Sequence, residues 1–325
     1  MSETANITYV VTVSPNAEVT TSGSPSSFTI NGLSGSTPYT ISLKALRYGV
    51  LSTSSSNTIT LTTSMVTPNL IVDFENNVNN TGTNTNIGTP TGGPSSYVTS
   101  SPNPARGTYC AYISGNKISY DFTSQTFPIS VSFWYNPYYT FGAPFVILSV
   151  GSMVISMLHS GNAASNTTSS NPNTPIGLLT FQRFIDVYNN KTISDAYSKY
   201  YYLNKSNGIV NPATTAESAG NNPPTTNNYL RLDGTNWYHI VWVAKKNVIG
   251  NTSSPSAWVI YVNNVKYTTT DNSIGDLTSD SNAYVSINGN NPFIGRNGSL
   301  GHYDSLKVWN NYALSDSDVN YLYTN

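Results

Sequence analysis

A chain of 325 residues with a net charge of -1, 9% charged and 38% hydrophobic residues is long enough for two unequal domains, because single cores stop growing near roughly 250 to 300 residues. With no cluster of Lys or Arg it lacks the electrostatic footprint of a nucleic-acid binder, which excludes DNA and RNA as partners. Its one cysteine, Cys110, rules out an intrachain disulfide and a cysteine-based zinc site.

In chain order, apolar residues first alternate with a period of two from Ile7 to Val13, at Phe28 to Ile30, from Tyr39 to Ala45 and from Thr58 to Leu61, with Gly, Ser and Pro turns between them. These predict four or five short strands. The run from Phe28 to Leu46, FTINGLSGSTPYTISLKAL, has a Leu before a turn and a Tyr opening the next strand, and resembles the corresponding corner of a fibronectin type III domain. The Gly49 turn and the Ser52 to Ser56 stretch continue the likeness. It begins at the third strand of that fold, since six residues precede Ile7. Residues 1–63 are therefore expected to form an incomplete immunoglobulin-like sandwich. Its open apolar face and strand edge need covering by upstream sequence, the second domain or another subunit.

Residues 64–69 read as a linker, and a second domain, 70–325, opens at Leu70 to Glu75. Cys110 falls in a strand-like run, Thr108 to Ile113, and is expected to be a buried, inert thiol. Further strands are predicted at Lys117 to Phe122, Ile129 to Tyr135, Phe145 to Val150, Met153 to Leu158, Trp237 to Ala244, Trp258 to Val262 and Ser305 to Trp309. Such spacing points to two packed sheets. Trp258 to Tyr267 reads as a hairpin turning at Asn263 and Asn264. Ser315 and Asp318 form a capping box for a short terminal helix, which accounts for the Asp316 and Asp318 pair.

Four segments, Trp237-x-His239, Val259 to Val265, Phe293 to Arg296 and Gly301 to Val319 with its Ala313-Leu314-Ser315 close, occur in the order of the laminin-G-like jelly roll, and the chain resembles that family over 69–160 and 229–325. The fold class implied is all-β: an antiparallel concanavalin-like jelly-roll sandwich preceded by the partial fibronectin-like one. An insertion, residues 159–228, interrupts it and carries a strand-like piece from Leu178 to Tyr188. Tyr200, Tyr201 and Tyr202 in that insertion, with Tyr138 and Tyr139, are the candidate ligand-binding residues, tyrosine being a frequent anchor for sugars and proteins. Packing of the Tyr-rich stretch onto its own domain is the competing expectation. The resemblance also raises calcium, with Asp304 as a candidate ligand. The second acidic position of the family falls near Asn79, which contributes no charge, so weak affinity is expected.

Catalysis is not expected. Glucanases on concanavalin-type folds need two closely set carboxylates, and Glu3, Glu18, Glu75 and Glu217 are scattered along the chain. His159, His239 and His302 are equally scattered, and no Gly-x-Ser-x-Gly elbow or phosphate-cradling loop occurs. The N-terminus shows no signal-peptide pattern, and no run of 18 apolar residues suits membrane insertion. Low charge removes self-repulsion and favours association. The sequence thus points to a non-enzymatic structural or adhesive surface protein, with a minor capsid, spike or fibre component of a large virus as the leading case. Its partners would be other subunits of an assembly or cell-surface glycan, and its place a virion or cell surface. The alternative is a carbohydrate-binding, lectin-like module of a secreted microbial enzyme or adhesin.

Overall fold

The computed structural model describes residues 7–15, 18–21, 28–31, 33, 37–54, 56, 58–83, 90–114, 116–121, 128–137, 145–150, 153–159, 175–183, 201–210, 229–244, 258–268, 284–287 and 301–325. The chain divides into two compact units, Met1–Val66 with Leu314–Asn325, and Thr67–Ala313. Each is almost wholly β, and every strand pairing is antiparallel.

The first unit holds β1 (Ile7–Ser14), β2 (Glu18–Thr21), β3 (Phe28–Asn31), β4 (Pro38–Arg47), β5 (Val50–Leu51), β6 (Ile59–Thr62) and the helix α1 (Asp316–Thr324). β4 is the centre of a four-stranded sheet with β1 on one side and β5 and β6 on the other, while β2 and β3 form a hairpin. β1 meets β4 over eight consecutive pairs, from Ile7 opposite Arg47 to Ser14 opposite Thr40. Because strand side chains alternate, this register puts Tyr9, Val11 and Val13 on the same face as Ala45, Leu43 and Ile41. Ile59 and Leu61 of β6 join that face opposite Ile41 and Tyr39. The other face carries Thr8, Thr12, Thr40, Ser42 and Lys44 together with Val10, Leu46 and Leu51. Only Val13 and Tyr39 of the apolar face are buried; Ile7, Tyr9, Val50 and Ile59 are 45, 42, 70 and 60% exposed. The helix groups with these strands rather than with the second domain that the sequence assigned it to, and Thr37 Oγ1 lies 2.7 Å from Ser317 Oγ. Ser315 and Asp318 form the expected capping box.

The second unit is a sandwich. Its strands are β7 (Leu70–Val72), β8 (Ser96–Val98), β9 (Cys110–Ile113), β10 (Ile118–Asp121), β11 (Ile129–Pro137), β12 (Phe145–Val150), β13 (Met153–His159), β14 (Pro175–Arg183), β15 (Tyr201–Leu203), β16 (Ile209–Val210), β17 (Arg231–Asp233), β18 (Tyr238–Ala244), β19 (Trp258–Val262), β20 (Val265–Thr268), β21 (Tyr284–Ile287) and β22 (Gly301–Asn310). One sheet runs β20-β19-β18-β11-β22-β9-β8 with β7 also on β22; the other runs β10-β21-β12-β13-β14-β15-β16 with β17 on β14. The insertion therefore completes the second sheet, supplying β14, β15 and β16.

Between the sheets lies one apolar core. Trp242 of β18 packs edge-on to Trp258 of β19 at 4.7 Å and to Phe181 of β14 at 5.2 Å, and Tyr201 of β15 meets Trp258 at 5.0 Å. Tyr303 donates its hydroxyl to the Ile147 carbonyl across the sandwich, 3.2 Å. Asn263 and Asn264 turn the β19-β20 hairpin at φ values of 49° and 64°, as a tight mirror-image turn requires.

The last long strand is bulged. Pairing of β11 with β22 shifts between Ser132 and Trp134, and Ser305 takes a φ of 48°. One extra residue resets the alternation. Tyr303 and Leu306 both reach the core, whereas Asp304 and Lys307 share the opposite face.

Candidate functional site

Around this bulge the structure brings together several buried or half-buried titratable groups. Asp304 lies within β22 and is fully buried. This corrects the expectation that it precedes the last strand: the bulge lets the strand begin four residues earlier, at Gly301. Its Oδ2 accepts the Arg106 amide at 2.8 Å, while Oδ1 has no hydrogen-bond partner among the described residues. Burial pushes the Asp304 carboxyl up to about 7, helped by the charge of Glu75 and opposed by the amides of Arg106, Ser305 and Ala105.

Glu75 follows β7 in a turn where Phe74 and Asn76 both take positive φ. Its Oε1 accepts the amides of Thr108 at 2.8 Å and Tyr109 at 3.4 Å. Gly107, just before them, has a φ of +62°, and a Cβ there would lie 1.7 Å from Glu75 Oε1. The segment 105–109 is thus a strap whose amides converge on two carboxylates, and a side chain at its middle would have to displace Glu75.

The strap also reaches the sheet by stacking. The Arg106 guanidinium lies 4.8 Å from the Trp134 ring, and Trp134 lies 4.9 Å from His239. His239 Nε2 is 2.9 Å from Ser132 Oγ, and burial, with the charges of Arg106 and Lys307, holds its imidazole down to about 3. Trp237, half-buried, donates its indole N–H to the Asn103 carbonyl at 2.7 Å. Lys307 donates to Ser305 Oγ and sits 3.9 Å from Asp73; burial lowers its pKa, against the pull of Asp73 and Asp304. His302 lies 5.0 Å from Tyr112, and burial lowers it to about 4. Cys110 is buried and pushed up to about 12, first by burial and then by Asp304 and Glu75, so its thiolate is suppressed at neutral pH.

Glu75 and Asp304 come together in space, but both accept strap amides and Asp304 has no exposed surface, so neither is presented to a glycosidic bond. Ser305 and Lys307 have the composition of a nucleophile-base pair, yet Ser305 is buried. Among the described residues no three His, Cys, Asp or Glu side chains form a metal-binding group. For calcium the donors are right in kind, two carboxylates with one unpartnered oxygen; further ligands would be carbonyl oxygens or water. The carboxylate beside Asp304 is that of Glu75, and the Asn79 amide is bound to Asn77 Oδ1. An acid directly after the first strand was the sequence signal for it.

Of the tyrosine candidates, Tyr138, Tyr139 and Tyr200 lie outside the described residues. Tyr201 and Tyr202 are 5 and 1% exposed, which corrects their reading as exposed anchors. Alternation sends Tyr201 into the core against Trp258 and Tyr202 to the opposite face against Tyr229, 5.5 Å away. No described helix is long and apolar enough to cross a membrane.

No known protein family matches the chain, and no curated protein matches it. Among solved structures it is similar to domain 4 of an extracellular arabinanase from Geobacillus stearothermophilus in complex with arabinotriose, with 14% identity over 79% of this chain and 98% of that one, TM-score 0.44. It is also similar to a botulinum neurotoxin serotype D/C binding domain (11%, 79% of this chain and 51% of that one, TM-score 0.35). A third is described as a putative carbohydrate-binding protein from Bacteroides ovatus (14%, 90% of this chain and 57% of that one, TM-score 0.31). Likenesses with TM-scores below 0.5 do not bear on what this chain binds.

Proposed function

We propose that this chain is a non-catalytic binding and assembly protein: a laminin-G-like jelly roll that serves as the body, preceded by a fibronectin-like N-terminal unit that docks it into a larger surface structure, a virion being the leading case. The observation that carries this is the N-terminal sheet, whose apolar face keeps Ile7, Tyr9, Val50 and Ile59 in solvent. Exposed contiguous apolar surface of this kind marks interaction sites in folded proteins. Engagement of both Glu75 and Asp304 by the strap supports the non-catalytic part. The test is co-sedimentation of the purified chain with the particle or surface from which it comes. Loss on Ile59→Asp, with an unchanged circular dichroism spectrum, is the expected result; undiminished co-sedimentation overturns the reading.

A second reading, a carbohydrate-binding module, is favoured by the half-buried aromatics Tyr109, Trp134 and Trp237, with Arg106 over Trp134 and Asn103 bound by Trp237. Aromatic rings beside polar side chains are the usual furniture of sugar sites. Glycan-array binding that disappears on Trp237→Ala would establish it.

A further inference from the structure

We propose that calcium, held by Glu75 and Asp304, latches the strap 105–109 onto β22, and that through the strap it governs the aromatic surface formed by Tyr109, Trp134 and Trp237. The proposal deepens the carbohydrate-binding reading of that surface, on which its second half rests, by naming what regulates it.

The first observation is an unsatisfied acid. Asp304 is fully buried, its Oδ2 accepts the Arg106 amide, and its Oδ1 has no hydrogen-bond partner among the described residues. Glu75 accepts two strap amides on Oε1. Neither carboxylate is ion-paired among the described residues: Lys307 of β22 pairs with Asp73 at 3.9 Å, and the Arg106 guanidinium lies over Trp134. A buried carboxylate in this position keeps its charge only beside a metal ion or another cation.

The second is how closely the acids are held. Arg106 and Thr108, whose amides bind Asp304 and Glu75, are separated by one residue, so those amides lie at most about 7 Å apart. The residue between them is Gly107, at a φ of +62°, where a Cβ would overlap the Glu75 carboxylate. Among the described residues no third His, Cys, Asp or Glu joins the pair, so the remaining ligands are carbonyl oxygens and water. An all-oxygen donor set suits calcium and disfavours zinc or copper.

The third is what the strap carries. It lies between β8 and β9 and pairs with neither sheet. Arg106 stacks 4.8 Å from the Trp134 ring, Tyr109 is the last strap residue, and the carbonyl of Asn103, just before the strap, receives the Trp237 indole N–H at 2.7 Å. Trp134 also stands directly opposite Asp304 across β11 and β22. Fixing the strap on the two acids therefore fixes the aromatic surface, and releasing it loosens that surface. With two carboxylates, and with Lys307 and Arg106 near by to oppose a cation, the dissociation constant for calcium falls at about 0.1 to 1 mM.

The experiment takes the full chain, stripped with chelator and dialysed, and titrates it with calcium chloride to about 10 mM. Hydrogen exchange at the Arg106, Thr108 and Tyr109 amides should slow about tenfold at ten times the dissociation constant, and the melting temperature should rise. Terbium should compete with calcium and emit on indole excitation, chiefly through Trp134. Asp304→Asn and Glu75→Gln should each remove these responses, while Asp121→Asn, at an exposed acid of β10, should keep them. Terbium emission from the unaltered chain, diminished in Trp134→Phe, reads the site independently of those variants' stability. A chain whose strap exchange, melting and terbium emission all ignore calcium overturns the proposal, and an equal response to magnesium overturns calcium as the occupant. Glycan arrays probed with calcium and with chelator separate the two halves. Binding that needs calcium and is lost in Trp237→Ala supports both. Equal binding in the two conditions overturns the latch's control of the surface. No binding in either, with strap exchange still slowed by calcium, sinks the carbohydrate reading and leaves the latch in place.

Discussion

The two sheets of the sandwich and the N-terminal sheet are built from the same kind of strand, but their described apolar residues are buried to very different degrees. In the sandwich, Trp242, Trp258, Phe181 and Tyr201 interlock between layers, and side chains on the far face, such as Val241, Val243 and Trp309, are buried as well. In the N-terminal sheet the register is as regular, yet one apolar face meets solvent. Strand pairing and core formation are separable: alternation builds a sheet, and a second layer is what makes it stable.

The largest expected effect follows directly. Trp242→Ala should destabilise the sandwich by about 3 to 5 kcal/mol, whereas Ile59→Ala, at a site 60% exposed, should cost under about 0.5 kcal/mol. Chemical denaturation measures both. Similar losses at the two sites would break the comparison.

Acid comes next. Unfolded imidazoles titrate near 6.5, while His239 and His302 are held at about 3 and about 4. The unfolded chain therefore takes up protons first, and their contribution is present above 6.5 and is lost as pH falls toward 4 and below. Asp304 acts in reverse. With a folded value of about 7 against 3.8, it keeps its proton longer in the native state and favours folding as pH drops from 7 to 4. Between about 4 and 6.5 the two imidazoles outweigh the one carboxyl, so stability falls as pH falls through this window. Asp304→Asn should steepen that fall in denaturation curves taken with chelator present. An unchanged slope would contradict its burial as an acid.

Gly107→Ala should cost about 1 to 3 kcal/mol, because a positive φ and contact with Glu75 both oppose a side chain there. Hydrogen exchange at the Thr108 and Tyr109 amides would report release of the strap. Smallest is Ser315→Ala, which removes the cap of α1 for about 1 kcal/mol. It should loosen the N-terminal unit and leave exchange in the sandwich core unchanged, sharpening the division between the two.

Much of this fold was legible from residues close in sequence. Period-two alternation located β1, β3, β4 and β6, apolar strand-like runs located β11 and β18, the Asn263-Asn264 turn located its hairpin, and Ser315 with Asp318 located the helix start. Short strands without a clear period, β8, β16 and β21, were not seen. The site was far less legible. Glu75, Arg106 and Asp304 meet only after β7, β9 and β22 have paired, so no local spacing shows that the two carboxylates share a strap. The burial of Tyr201 and Tyr202 was hidden for a related reason. Composition gives Tyr201 and Tyr202 the same character, but adjacent strand residues point to opposite faces and both faces of β15 are covered.

By itself, the sequence determined the all-β character, the turn at Asn263 and Asn264, the helix cap, and an N-terminal sheet with one apolar face. Each depends on alternation or turn chemistry within a few residues. Tertiary structure decided which carboxylates are buried together, which tyrosines are hidden and which apolar face stays open. Those depend on pairing register and on a single bulge at Ser305, through contacts between residues up to 229 positions apart, Glu75 and Asp304.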